Sequence, residues 1–214
     1  MPERKTSQQA GQTPRLGRGA ILHTDFWWST VADCDKLNAA LLAEISAHKI
    51  EEPVTAAGSN EGCWRGHREY AHWSAIREQV LHNLKVIHRH YVKLGTSCRP
   101  LEGLPEDCYE IEYWTNVNEP GSSNLIHSHA KWHWSGVYYV QGLDTGAIEF
   151  YSQPYLNQNV TLGLPFGQSF SVDPSDGLLL LFPSYLLHEV AANRSLKQRI
   201  NIAFNVRIHF DGRK

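Results

Sequence analysis

The chain has 214 residues, 42% of them hydrophobic and 20% charged, with a formal net charge of −2. That length suits one domain with a two-sheet core and flanking helices, and a near-neutral chain without a long basic run does not suggest a nucleic-acid partner. The four cysteines (Cys34, Cys63, Cys98, Cys108) form no Cys-x-x-Cys pair, which disfavours a zinc ribbon or a thioredoxin-like site. They read as reduced thiols, and a Cys98–Cys108 disulfide is disfavoured. No apolar run approaches the ~20 residues that span a bilayer, and the first residues lack the apolar core of a signal peptide. A cytoplasmic protein with no membrane partner is the expectation.

Residues 1–18 are polar and rich in Gln, Gly and Pro. They are expected to form a disordered tail ahead of a single domain over 19–214. Ile21 to Trp28 reads as a short strand. Thr30 or Asp33 is placed to cap a helix running to His48, with Leu37, Leu41, Leu42 and Ile45 as its apolar stripe. Residues 52–68 contain Gly58, Ser59, Asn60 and Gly62 and read as loop or short strand. Ile76, Val80, Leu84, Ile87 and Tyr91 recur at helical spacing and predict a second helix from His72 to Leu94, stopped by Gly95. The helical part thus covers 30–95.

From Tyr109 the texture changes. Tyr109–Val117, Leu125–His129, Trp134–Val140, Ala147–Tyr151, Gln168–Val172, Gly177–Phe182 and Arg199–Ile208 read as strands divided by Gly, Pro, Asn and Asp. The helices precede these strands rather than alternating with them, which disfavours a doubly wound parallel sheet. The expected fold is mainly β with flanking helices, its core a jelly roll or cupin-like barrel over 109–208.

Three histidines stand out. His127 and His129 are two residues apart, so on an extended strand both point to one face and can aim at one metal ion. His188 completes the set if a later strand folds back beside the first. Three ligands on one side leave other positions open, as in mononuclear non-haem iron centres. The usual iron triad has two imidazoles and one carboxylate, and here the i+2 residue is His129. Either three histidines bind the metal, or His129 stands behind the ligands and a carboxylate such as Glu149 completes the set. His133 is a weaker candidate. The chain has 12 His, and His88 and His90, which diverge by about 200° on a helix, read as surface or packing residues.

Arg199 supplies the second half of the argument. Arg199, Asn201, Ala203 and Asn205 alternate with Ile200, Ile202, Phe204 and Val206, which gives a central strand one polar face. A guanidinium buried there needs an anion, and its fork suits a carboxylate. An ion pair within the protein is the plain alternative. A cosubstrate carboxylate is the preferred reading.

These residues resemble the Fe(II)- and 2-oxoglutarate-dependent oxygenases, and more narrowly a small bacterial and phage group of them. The shared pieces are Trp-x-Asn-Val at Trp114–Val117, Asn-x-x-His-x-His at Asn124–His129 and Ser-Gly-Val-Tyr-Tyr-Val at Ser135–Val140. They continue with Gly177–Pro183, His188 and Arg-Ile-x-Ile-Ala-Phe-Asn at Arg199–Asn205. Gly62-Cys-Trp-Arg-Gly matches a weaker Gly-rich element.

The resemblance implies a double-stranded β-helix and an oxygenase that uses Fe(II), 2-oxoglutarate and O2. It implies His127, His129 and His188 as metal ligands and Arg199 as the seat of the distal carboxylate. Asn201, Tyr138, Tyr139 and Asn116 are further candidate cosubstrate contacts. Replacing a carboxylate ligand by His129 removes one negative charge, which should weaken Fe(II) binding and shift its potential, and it argues against a halogenase. The expected reaction is hydroxylation or desaturation of a C–H bond in a small, amino-acid-like substrate, with Trp114, Trp132 and Trp134 as pocket walls or core. A homodimer is an open expectation. The alternative is a cupin-like three-His metalloenzyme (a dioxygenase, isomerase or lyase) that does not use 2-oxoglutarate. A third reading is a binding or sensor protein with a degenerate site.

Overall fold

The computed structural model describes residues 24–31, 33–53, 60–151 and 169–210. Among these, nine strands and two α-helices follow in the order β1 (Trp27–Thr30), α1 (Cys34–Glu51), β2 (Asn60–Gly66), α2 (Trp73–Lys93), β3 (Tyr109–His127), β4 (Trp134–Gln141), β5 (Ile148–Tyr151), β6 (Ser169–Val172), β7 (Leu178–Pro183), β8 (Leu187–Val190) and β9 (Arg199–Ile208). The expected tail at 1–18 lies outside the described residues, as do the starts of the strands expected from Ile21 and Gln168.

The helices form where the apolar spacing predicts them. Leu41 and Ile45 of α1 and Ile76, Val80, Leu84 and Ile87 of α2 are buried. The helix α2 ends as a Schellman turn: the Gly95 N–H donates to Val92 O and the Thr96 N–H to Tyr91 O. The start of α1 departs from expectation. Thr30 belongs to β1, and Asp33 sits at the N-cap in a left-handed conformation without a side-chain capping bond.

All strand pairings are antiparallel, in the order β1-β7-β4-β9-β3-β8-β5-β6, with β2 also on β3. The two strands expected at Tyr109–Val117 and Leu125–His129 are one strand of 19 residues. Its first half pairs with β9 and its second half with β8. Pro120 and Gly121 do not end it: they lie in a bulge of β3, where Asn118 pairs with Cys63 and Ser123 with Glu61, so that Glu119–Ser122 stand opposite Gly62 of β2. This change of partner lets the sheet curl: β3 belongs to a larger layer with β1, β7, β4, β9 and β2, and to a smaller one with β8, β5 and β6. The fold is mainly β, a curled antiparallel jelly-roll core with two helices against it.

Strand alternation sorts side chains between two faces. Tyr138 and Val140 of β4, Leu179 and Leu181 of β7, and Ile200, Ile202, Phe204 and Val206 of β9 share one cluster with the helices. Val137 and Tyr139, Leu178, Leu180 and Phe182 turn the other way and meet Ile148 and Phe150 of β5 inside the curl. Each fully buried aliphatic or aromatic side chain contributes roughly 1.5–3 kcal/mol, so the apolar halves of these strands hold the layers in place. The polar halves are left to line the space inside. All four cysteines are free.

Candidate metal centre and active site

His127 ends β3 and His188 lies in β8, directly opposite it in register. His129 follows β3 by two residues, and its N–H donates to Ser184 O at 2.8 Å. The three rings converge. Their ligand atoms all lie within 4.8 Å of one another, and the ring centroids are 4.3–5.4 Å apart. His127 Nδ1 lies 2.6 Å from Leu125 O and His188 Nδ1 2.9 Å from Leu186 O. A carbonyl can only accept, so in both rings Nδ1 carries the proton and Nε2 presents its lone pair. This is the backbone fixing of ring orientation that metal-ligating histidines ordinarily have.

Burial keeps the imidazoles neutral. Burial, with the neighbouring His127 acting in the same direction, pushes His129 down to about 4 and His188 to about 3. His127 is lowered too, chiefly by burial. Neutral imidazole is the form that binds a metal.

Glu149 does not join the cluster. It points away from the inward-facing Ile148 and Phe150, and its carboxylate accepts a hydrogen bond from the Tyr151 hydroxyl at 2.9 Å. His133 is also elsewhere: its Nδ1 accepts the Ile208 N–H at 3.0 Å. Among the described residues the group able to hold a metal is three histidines, with no carboxylate.

The histidines open onto a cavity of about 530 Å³ inside the curl. Its far wall is the polar face of β9, with Arg199, Asn201, Ala203 and Asn205 as the alternation predicts, together with Asn116 and Trp114 of β3 and Tyr139 of β4. Arg199 is fully buried. Its Nη1 donates to Thr145 O at 2.8 Å, Ala191 O at 3.2 Å and Gly146 O at 3.4 Å. Gly146, at φ +95°, has no Cβ to keep the guanidinium away from this collar of carbonyls. The other edge of the fork, Nε and Nη2, is buried with no hydrogen-bond partner. Asn118 stands directly across from Arg199 in the β3–β9 register, equally buried, and neither of its amide atoms is hydrogen-bonded. Asn116 Nδ2 donates to Asn201 Oδ1 at 3.0 Å, which ties the two strands together at the next position.

Not every expected contact is here. Tyr138 lies on the helix-facing side of β4, and its hydroxyl donates to Asn38 Oδ1 of α1 at 2.6 Å. Tyr139 is the tyrosine in the cavity wall. Trp114 and Trp132 line the cavity, whereas Trp134 is core, donating to His88 Nε2 at 3.2 Å. Sequence reasoning did not single out Arg65, Glu112, Asn118 or Asn205 as site residues. The i+2 series Glu112, Trp114, Asn116, Asn118 carried the signal for two of them.

The chemistry of this set, three neutral imidazoles and a half-satisfied buried guanidinium across one cavity, fits a metal chelated by a small carboxylic acid. Residues 112–205 match the family described as "Putative 2OG-Fe(II) oxygenase". Over those residues the chain is similar to a 2OG-Fe(II) oxygenase domain. Enzymes of this family use Fe(II), 2-oxoglutarate and O2, and the donor set described above suits both the metal and the cosubstrate. No curated protein matches the chain in sequence at a significant level.

Solved structures share the oxygenase fold over most of its length. A prolyl-4-hydroxylase from Pseudomonas putida has 19% identity and a TM-score of 0.59, covering 87% of this chain and 94% of that one. HygX from Streptomyces hygroscopicus, with nickel and 2-oxoglutarate bound, has 12% identity and a TM-score of 0.53, covering 87% and 84%. The epimerase SnoN, in complex with Fe3+, alpha ketoglutarate and nogalamycin RO, has 11% identity and a TM-score of 0.57, covering 86% and 79%. At these identities the likeness establishes the jelly-roll fold alone. Among the described residues no helix is long and apolar enough to cross a membrane.

Proposed function

We propose that the protein oxidises a C–H bond of a small, amino-acid-like substrate, by hydroxylation or desaturation, with 2-oxoglutarate as cosubstrate. His127, His129 and His188 would hold Fe(II) through three imidazole nitrogens. When bound, the iron with 2-oxoglutarate and O2 supplies a two-electron oxidant, releasing succinate and CO2. The observation that carries the reading is the orphaned edge of Arg199. An unpaired buried charge is costly, and two adjacent N–H donors form the fork that accepts a carboxylate bidentately. Asn118, opposite Arg199 on the neighbouring strand, has an unsatisfied buried amide beside it. Asn201 and Asn116 brace that wall, and Tyr139 with Phe182 and Val137 keeps water from it. The chain's own part is to orient the cosubstrate and exclude water; the hard chemistry belongs to the bound groups.

Three imidazoles in place of two and a carboxylate favour one second reading, a cupin-like metalloenzyme in which Arg199 binds the substrate's own acid group. Adding 2-oxoglutarate to anaerobic Fe(II) protein separates the two. A visible charge-transfer band, followed by succinate on admission of O2, supports the oxygenase with this ligand set. Stoichiometric iron with no band and no affinity for 2-oxoglutarate supports the cupin-like reading instead.

A further inference from the structure

The cavity has a second end, which the cosubstrate reading leaves unused. Along β3 the inward face runs Asn118, Asn116, Trp114, Glu112, opposite Arg199, Asn201, Ala203 and Asn205 in turn, and the last three of the β3 residues line the cavity. Arg199 marks the closed end. At the other end Asn205 and Ser135 are buried and linked, Ser135 Oγ donating to Asn205 Oδ1 at 2.7 Å, with Glu112 at the exposed rim beside the Asn205 amide. Between these ends the Trp114 ring faces His129, centroids 5.8 Å apart. The Arg65 guanidinium stacks on Trp114 at 4.4 Å from the ring centroid. Arg65 comes from β2, in the Gly62-Cys-Trp-Arg-Gly segment, outside the stretch matched by the family. Its positive charge is felt at His127 and His129, where it lowers both pKa values.

The charges of this wall set what the cavity can accept. Fe(II) and the dianion of 2-oxoglutarate cancel, and the three ligands are neutral, where a carboxylate ligand would have contributed a negative charge. The described lining then leaves three cations, Arg65, Lys131 and Arg199, facing the single carboxylate of Glu112. A loaded site with this imbalance favours an anionic group in the remaining space. Arg65 is the cation best placed to receive it. It is half-buried beside the metal histidines, whereas Lys131 is exposed at the rim. Glu112 lies one pleat repeat from Trp114, roughly 7 Å along the strand. A single small molecule with both charges bridges that interval with one charge-assisted hydrogen bond at each end.

We propose that Arg65 seats the carboxylate of the substrate and Glu112 its ammonium group, so that the substrate class is the free amino acid or a zwitterion of that size. This rests on the oxygenase reading of the same cavity, with 2-oxoglutarate at the Arg199 end. Residual volume limits the occupant to a small molecule, and Trp114 and Trp132 supply apolar walls for its carbon skeleton.

The test is equilibrium binding to the full chain, loaded with Zn(II) in place of iron and saturated with 2-oxoglutarate. The twenty free L-amino acids are screened by thermal shift and calorimetry. At least one should bind, and its amide and its N-acetyl derivative should each bind more weakly by roughly tenfold or more, as expected on loss of a charge-assisted pair. In Arg65→Gln the free acid and the amide should become equivalent. In Glu112→Gln the free amine and its N-acetyl form should. Arg65→Lys, which keeps the charge and loses the fork, should fall between. The proposal is overturned if no amino acid binds while 2-oxoglutarate does, or if Arg65→Gln, still able to bind 2-oxoglutarate, holds the free acid as tightly as the parent. Failure of 2-oxoglutarate itself to bind, seen before any amino acid is added, counts against the underlying oxygenase reading instead.

Discussion

The two faces of β9 do opposite work with the same burial. Ile200, Ile202, Phe204 and Val206 close a dry contact with the helices. On the other face Arg199 is as deeply buried, yet two of its nitrogens have no protein partner. Apolar burial is complete once the chain has folded, because its gain comes from removing surface from water. A buried guanidinium edge is complete only when an anion arrives. One face therefore belongs to stability and the other to binding, and the period of two in a strand is what keeps them apart.

That contrast can be broken from the cavity side first. His188→Ala should lower iron affinity by more than about a hundredfold, beyond the 10–100-fold typical of a lost outer partner of a metal site. Iron content after gel filtration and succinate formation measure it, with the fold intact by circular dichroism. Arg199→Met should weaken 2-oxoglutarate binding by roughly 30- to 5,000-fold, the 2–5 kcal/mol expected on truncating one partner of a buried charge pair. Without ligand its melting temperature should change little, and the rise that 2-oxoglutarate and Zn(II) give the parent should disappear.

From the helix side, Ile202→Ala should cost about 2–5 kcal/mol of folding stability in a denaturant titration while the affinity for 2-oxoglutarate stays within twofold or so. Equal damage to both properties would sink the division between the faces. Tyr138→Phe is the sharpest comparison and the smallest effect. It should cost about 1–2 kcal/mol through the Asn38 contact and leave cosubstrate binding unchanged.

Acid should act mainly through the cavity. Burial depresses the clustered histidines, His129 to about 4 and His188 to about 3. A depressed folded-state pKa means that the unfolded chain takes up protons first. The contribution of these groups is therefore fully present above the ordinary imidazole pKa of about 6.5 and is lost as pH falls from there toward the folded values. Zinc affinity of the apo protein should be nearly flat from neutral pH to about pH 6, an interval that spans the ordinary imidazole pKa of about 6.5. A ligand set with unperturbed histidines would already weaken across that interval, and competition against a chelator at each pH reads the difference.

Sequence periodicity carried much of this arrangement. The strand from Arg199 to Ile208 and its polar face are as the alternation predicts, because a central strand with one buried polar face has few other solutions. The second helix was similarly legible from its apolar spacing and Gly95. What was hidden depended on pairing. His188 was legible as a candidate ligand, but the strand that carries it has four residues and is too short to show a period. The segment Asn118-Glu-Pro-Gly reads locally as a break, and it is absorbed as a bulge of β3 because pairing with β2 resumes at Ser123. Tyr138 and Tyr139 are chemically alike, and which one faces the cavity follows from the register of β4 against β7 and β9. Arg65 enters from a strand far from the histidines in sequence, and nothing in its own neighbourhood announces that it stacks on Trp114.

The unbroken β3 strand has a consequence of its own. It carries His127 at one end of a single run of backbone and Asn118, the cross-strand partner of Arg199, nine residues earlier. On the proposed reading the interval between the metal and the carboxylate seat is set within that one strand, which is paired at Asn118 and again at Asn124 on either side of its bulge. Such a strand works as a gauge. On the proposed reading it admits a diacid of one chain length, and a homologue one methylene shorter or longer reaches only one of the two fixed points.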